Sequence, residues 1–345
     1  VHWLLAASGA RRLAKRFAEN VETQFFAALL YAMGGYVAWQ CFNLVFLIGA
    51  AWLPWAWERW ESLRVSRDPR RAGQLGMLLG LMVLGGDPQL AYHVALLALL
   101  DSVSWRRTLR DAASSILEPS LAPDSPRLTR LTWPWFRSRW MVLAIACAMG
   151  LGFAAVQVAP SATWSVRTSR AIYEEPRSIW EWIARTSEAE GPHANLSSIT
   201  APPARNTHDE NLYDFSFAPI RLLEFAAPGI FGELGPYYQN WLRAMAPRVR
   251  WWTPTNYLGL FTLVAAALAI RAQWSSRLVR SAAFVVVISV VSSFGVWGLG
   301  ALWNNALRLD EGKGLNPALG GLYWIWVTFL PAYSSFRYPS KWLLI

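Results

Sequence analysis

Long apolar runs alternate along this chain with short arginine-rich segments, and that alternation constrains the fold more than any single motif. The runs cover residues 24–57, 72–86, 88–103, 140–160, 257–270 and 281–303, and the basic segments 11–16, 58–71 and 104–139 lie between them. At ~1.5 Å per residue, a helix needs about 20 apolar residues to cross a bilayer's hydrocarbon. Only 16% of residues are charged and 54% are hydrophobic, whereas about a quarter of an ordinary soluble protein is charged. The chain therefore reads as an all-α polytopic membrane protein, with about eight transmembrane or half-spanning helices and a mixed extracytoplasmic insertion. Its 22 Trp and 11 Tyr suit rings that settle at the lipid headgroup level. Cys41 and Cys147 both lie in apolar runs, so no disulfide framework is implied.

Charge sets the expected orientation. Cytoplasmic loops collect Lys and Arg, so segments 11–16, 58–71 and 104–139 are placed inside. An even number of crossings must then separate the last two. Residues 72–86 and 88–103 become a hairpin whose Gly85-Gly86-Asp87-Pro88 turn faces outward. Region 24–57, about 34 residues, is long enough for two tilted or shortened spans, with a break near 39–43 marked by Gly34-Gly35, Gln40 and Asn43. Residues 161–254 hold nine Arg against ten Asp plus Glu, a formal charge of −1 in a chain of +10. That segment is expected outside, so three parts result: transmembrane helices in 1–160, an extracytoplasmic subdomain in 161–254, and further transmembrane helices in 255–345. Within the outer part, residues 176–188 read as a short helix with Pro at its first position, and 191–211 as an irregular loop. The stretch 319–330, rich in Tyr and Trp, is too short to cross and reads as an interfacial or re-entrant helix, with another span beginning at Trp342. The chain starts at Val1 and stops within an apolar run, and reads as a fragment cut at both ends.

No P-loop, dinucleotide fingerprint, HExxH, paired CxxC or Gly-x-Ser-x-Gly occurs. No cofactor and no nucleic-acid partner is implied, and a divalent metal stays open. His2, His93, His193 and His208 have no metal-ligand spacing, although the last two share the outer segment; Asn195-Leu196-Ser197 matches a glycosylation acceptor. Asp87 admits two readings. An unpaired Asp buried in lipid costs roughly 2.5 kcal/mol or more, so it marks either a surface or a pocket. As a turn residue it caps the helix that Pro88 opens. As a functional residue it joins Gln89, Tyr92 and His93 at the lip of an outward-facing pocket, His93 standing at i+4 from Gln89. Arg337 and Lys341, also four apart, read either as interfacial anchors or as a cationic pair for a phosphate or pyrophosphate head group.

Several short motifs recur together. Gly35-Tyr36, Asn43 followed by Trp52-Leu53-Pro54, Gly86-Asp87-Pro88-Gln89, Ala227-Pro228-Gly229-Ile230-Phe231-Gly232, and Pro331 followed by Phe336-Arg337-Tyr338-Pro339-Ser340-Lys341 resemble, in order and character, the bacterial YfhO-like membrane proteins, which are placed with the GT-C glycosyltransferases. The resemblance implies a multi-pass protein of the bacterial inner membrane. It implies a polyprenyl-phosphate sugar as donor, a cell-envelope glycopolymer or lipid as acceptor, and contact with membrane lipids. The superfamily's catalytic Asp or Glu lies in the first outer loop, which here would precede Val1. Relatives often have Gly-His-Pro where this chain has Gly86-Asp87-Pro88, so Asp87 does not inherit the catalytic role by position. The alternatives are a transporter or lipid flippase, which calls for ionisable groups at mid-membrane and related halves, and a non-catalytic envelope scaffold built around the outer segment.

Overall fold

The computed structural model describes residues 1–66, 68–115, 139–165, 175–186, 196–203, 210–232, 241, 252–309 and 314–345. Among them every regular element is helical and none is a strand, so the fold is all-α. The chain divides into two compact units, Val1–Met33 with Cys41–Ser161, and Gly34–Gln40 with Ala162–Ile345. The division expected between 254 and 255 falls inside the second unit.

The first unit is built from α1 (His2–Ala14), α2 (Val21–Met33), α4 (Leu44–Ser66), α5 (Pro69–Leu84), α6 (Pro88–Ser115) and α7 (Arg139–Ser165); the second begins with the short α3 (Gly35–Trp39). α4 is the hub and packs on α1, α5 and α6. Pro54 sits inside it. Proline has no N–H, so the carbonyl four residues earlier loses its helical partner. That carbonyl belongs to Ala50, and the Tyr31 hydroxyl of α2 donates to it at 2.8 Å. α5 meets α7 through glycine: a Cβ added at Gly76 would lie 2.6 Å from the Ala146 carbonyl oxygen, and one at Gly80 would lie 2.7 Å from the Phe153 ring. Small residues one turn apart let two backbones approach this closely.

Two boundaries differ from the sequence expectation. The segment 58–71, expected as a loop, is mostly helix: α4 runs to Ser66, and Asp68 starts α5 by accepting from the Arg70 N–H at 3.0 Å. Its charges do not force a loop because several are paired, within α4 and across to α6. Arg64 reaches Glu61 at 2.5 Å and Asp101 at 3.5 Å, and the Trp60 indole donates to Asp101 at 3.1 Å. Likewise α6 continues past residue 103 to Ser115.

The second unit continues with α8 (Ile179–Thr186), α9 (Leu260–Ala272), α10 (Arg277–Ser293), α11 (Leu299–Ala306) and α12 (Leu322–Phe329), joined by 3-10 turns. α8 begins three residues later than the Pro176 start expected. Its start is set by Ser178, whose hydroxyl accepts from the Glu181 N–H at 3.2 Å, while Glu181 accepts from the Arg177 N–H at 2.8 Å. Residues 281–303 are not one helix. α10 stops at Ser293 because the Ser293 carbonyl accepts from the Phe217 N–H at 2.8 Å, Gly295 adopts φ +54°, and its neighbour Val296 donates to the Ser216 hydroxyl at 2.9 Å. The chain from Trp342 onward is a 3-10 turn, Pro339–Leu344, packed on α10 and α3. Indole N–H groups stitch the unit: Trp180 to the Phe329 carbonyl, Trp324 to the Ile199 carbonyl, Trp326 to the Ser292 hydroxyl, and Trp342 to the Tyr333 hydroxyl, at 2.8–3.2 Å.

Among the described residues, one stretch is long and apolar enough to cross a membrane alone, Trp140–Trp164 of α7, with mean hydropathy 2.1. Val21–Met33 with Gly35–Phe42 qualifies only as a broken pair, and Leu260–Ala272 and Val279–Ser293 are apolar but shorter.

Candidate functional site

Two of the second unit's left-handed non-glycine residues meet at the segment Phe336–Lys341. Tyr338 stands at φ +71° and Phe215 at φ +58°. Such left-handed backbone costs a non-glycine residue roughly 1–2 kcal/mol, and persists only where the surroundings impose it. Here the two strained residues face each other. The Ser340 hydroxyl donates to the Phe215 carbonyl. The Phe215 and Tyr338 rings lie 5.2 Å apart, and Trp252 completes a trio at 5.3 Å from Phe215 and 4.7 Å from Tyr338. Ring pairs at these separations are attractive by about 0.5–1.5 kcal/mol each.

Lys341 lies on this aromatic floor. It is 4% exposed, with Nζ 5.6 Å from the Tyr338 ring centre and 5.9 Å from that of Trp252. The ammonium is thus held against two ring faces in a low-dielectric setting, where its attraction for an anion is strengthened. Trp252, Tyr338 and Arg337 are only half-buried. Arg337 precedes the left-handed Tyr338 and so does not share a helical face with Lys341. The i, i+4 spacing was real in sequence, but the backbone between the two residues is not an α-helix.

A second network fixes the segment that carries Trp252. Arg221 donates from Nε and Nη2 to the two oxygens of Glu224 at 2.7 and 2.8 Å, and from Nη2 to the Thr253 carbonyl at 2.7 Å. The Asn256 amide donates to Glu224 at 3.0 Å and accepts from the Thr253 hydroxyl at 2.8 Å. All four residues are buried, and the Arg221 guanidinium lies 5.2 Å from the centre of the Phe217 ring. A buried pair with every oxygen satisfied orders the backbone around it. None of these partners was singled out from the sequence, although Arg221-x-x-Glu224 has helix-pair spacing and Thr253-x-x-Asn256 repeats it.

The other expected site residues belong to the first unit. Asp87 caps α6: its Oδ1 accepts from the Leu90 N–H at 3.2 Å, and its N–H donates to the Met82 carbonyl at 3.0 Å. Its carboxyl packs on α4, where a Cβ added at Gly49 would lie 2.8 Å from Oδ2. Asp87, Gln89 and His93 are all buried. The turn-and-cap reading describes this geometry, and an exposed lip does not, because α4 covers the turn. Among the described residues, no three His, Cys, Asp or Glu side chains converge to hold a metal ion. His193, His208 and Asn195 lie outside the described residues.

No protein-family model, curated protein or solved structure matches the chain.

Proposed function

We propose that this is a multi-pass protein of the bacterial inner membrane. It transfers a sugar from a polyprenyl-phosphate donor, at the extracytoplasmic face, to a cell-envelope glycopolymer or lipid. The membrane part of the reading is supported by apolar side chains left exposed on successive helices: Leu151, Val156 and Trp164 on α7, Phe261 and Leu268 on α9, Phe284 and Val287 on α10. In water such faces would need a partner; in lipid they need none. The glycine contact of α5 with α7 and the Tyr31 bond to the carbonyl freed by Pro54 also suit a medium without water to satisfy the backbone. The near-neutral charge of 161–254 within a basic chain supports placing that segment outside.

The transferase part rests on one observation: Lys341 is buried on the Trp252–Tyr338 floor, in a turn held by two left-handed residues. Rings of this kind receive the C–H face of a sugar, and a fixed cation beside them receives its phosphate. In the reaction a base takes the proton of the acceptor hydroxyl. The acceptor oxygen then bonds to the anomeric carbon as the bond from that carbon to the phosphate oxygen breaks. Lys341 offsets the charge gathering on the departing lipid phosphate, and the half-buried Arg337, four residues before it, is the second cation of the reading. The test is transfer by the full-length protein in proteoliposomes supplied with polyprenyl-phosphate hexoses. Lys341→Met and Arg337→Ala are each expected to lower transfer at least ~100-fold, the scale of losing one charge-stabilising donor. Absence of transfer from every hexose donor, or full activity in Lys341→Met, sinks the reading.

A further inference from the structure

At the opposite end of the charge pattern, the first unit gathers arginines around a single carboxylate. Glu58 on α4 is 2% exposed, and three guanidinium groups converge on it: Arg16 at 2.5 Å, Arg59 at 3.1 Å and Arg12 at 3.6 Å. One carboxylate cannot neutralise three cations, so two positive charges are left over. The excess is reachable, since the side chains of Arg12 and Arg16 are 48% and 34% exposed. The Arg59 guanidinium is pushed below its ordinary value chiefly by burial; the attraction of Glu58 opposes this, and the like charges of Arg12, Arg16 and Arg71 add smaller pushes. With three guanidinium groups on one carboxylate, the cluster carries excess positive charge that an added anion would offset.

The neighbouring helix α2, packed on α1, carries an apolar ridge. Val21, Phe25, Leu29 and Met33 recur every fourth residue along α2, and all are exposed, as is Phe26. Arg11, the neighbour of Arg12 on α1, reaches the ridge itself, its guanidinium lying 4.2 Å from the centre of the Phe25 ring. Positive charge on α1 and α4 beside an apolar stripe on the neighbouring α2 is complementary to a lipid with an anionic head, and free phosphate would leave the stripe uncovered.

We propose that the Arg12, Arg16 and Arg59 cluster around Glu58 holds the phosphate of an anionic glycerophospholipid, whose acyl chains lie along the Val21–Met33 ridge. This rests on the membrane reading above but not on the transferase reading. It gives the basic segments a ligand as well as an orientation. Glu58 then serves as the placeholder that keeps the arginines gathered.

The experiment uses the full-length protein purified in detergent. Titrations with dioleoyl phosphatidylglycerol, dioleoyl phosphatidylcholine and inorganic phosphate are read by native mass spectrometry and by thermal shift. Phosphatidylglycerol is expected to bind at least ~10-fold more tightly than phosphatidylcholine. Each arginine near an anionic head is worth about 1 kcal/mol, so Arg12→Gln with Arg59→Gln is expected to weaken phosphatidylglycerol binding about thirtyfold. Glu58→Gln, which removes the competing carboxylate, is expected to tighten it, a result that damage to the fold does not produce. Equal binding of the two lipids, an equal thermal shift from inorganic phosphate, or weaker phosphatidylglycerol binding in Glu58→Gln overturns the proposal. Carbonate extraction of membranes separates the two levels. A chain released into the supernatant defeats the membrane reading itself, whereas one that stays in the pellet without lipid preference defeats only this site.

Discussion

Glu224 and Glu58 are both buried carboxylates gripped by arginine, yet they are wired in opposite ways. Glu224 meets a single arginine, Arg221, in a two-pronged contact, and Asn256 takes the remaining capacity of its Oε2. Among the described residues the charges balance and every partner is buried. Glu58 meets three arginines, two of them open to the surroundings. A closed, neutral network orders a backbone, whereas an open one with surplus charge is a receptor. The difference separates two uses of the same residue types that sequence alone writes identically.

The contrast is sharpest under mutation. Removing one member of a closed buried pair strands the other charge and costs about 3–5 kcal/mol. Glu224→Ala is therefore expected to destabilise the second unit by about that much, and to release Trp252 from the Tyr338 ring. Arg221→Met with Glu224→Leu, which deletes both charges, is expected to recover most of the loss. Glu58→Gln is expected to cost only about 1–2 kcal/mol, because its arginines regain water. Chemical denaturation followed by Trp fluorescence measures both. A Glu58→Gln cost equal to that of Glu224→Ala would erase the distinction.

A neutral version of the comparison lies at Ala50, whose carbonyl is orphaned by Pro54 and satisfied by one hydroxyl, that of Tyr31. Tyr31→Phe keeps the ring and deletes only that bond, so the expected cost is about 1 kcal/mol, rising toward the full desolvation penalty of 1–3 kcal/mol if no water enters. Tyr31→Phe with Pro54→Ala, which restores the helical N–H, should return the stability, and measured non-additivity of the pair is the check.

What was legible in the sequence follows the range of the interactions. The hairpin at Gly85–Pro88 was readable because its determinants are four adjacent residues: a Gly pair, an Asp that caps and a Pro that opens a helix. The all-α class and α7 were readable from uninterrupted apolar runs. The end of α4 differs from the loop expected because arginines that look like a loop are paired with Glu58, Glu61 and Asp101, two of them on the same helix and one 37 residues on. Lys341 is legible as a cation four residues after Arg337, but its aromatic floor is not. Phe215 and Trp252 come from distant segments, and no local pattern announces that two non-glycine residues will turn left-handed to face each other. The tryptophans suit either the lipid interface or plain core packing by sequence, yet several donate across the fold, a role invisible without their acceptors.

The smallest expected effect concerns Glu61, which stands between the two extremes. It has one close arginine, Arg64 at 2.5 Å, but Asp101 shares that arginine from 3.5 Å, so the local balance tips negative where Glu58's tips positive. Burial raises the Glu61 carboxyl above the ordinary carboxylate range, Arg64 pulls it back, and Asp101 raises it further. A carboxyl that holds its proton more tightly in the folded than in the unfolded chain contributes stability at low pH. That contribution is lost as pH rises through the folded value. The wild-type protein is therefore expected to lose a small part of its thermal stability as pH climbs out of the acidic carboxylate range, and Glu61→Gln to flatten that part of the profile. Since Arg64 would then serve Asp101 alone, the substitution should leave the Trp60–Asp101 bond in place, seen as unchanged Trp fluorescence. A profile with the same slope in both proteins would mean that Arg64 compensates Glu61 fully, making it a miniature of Glu224 rather than an intermediate case.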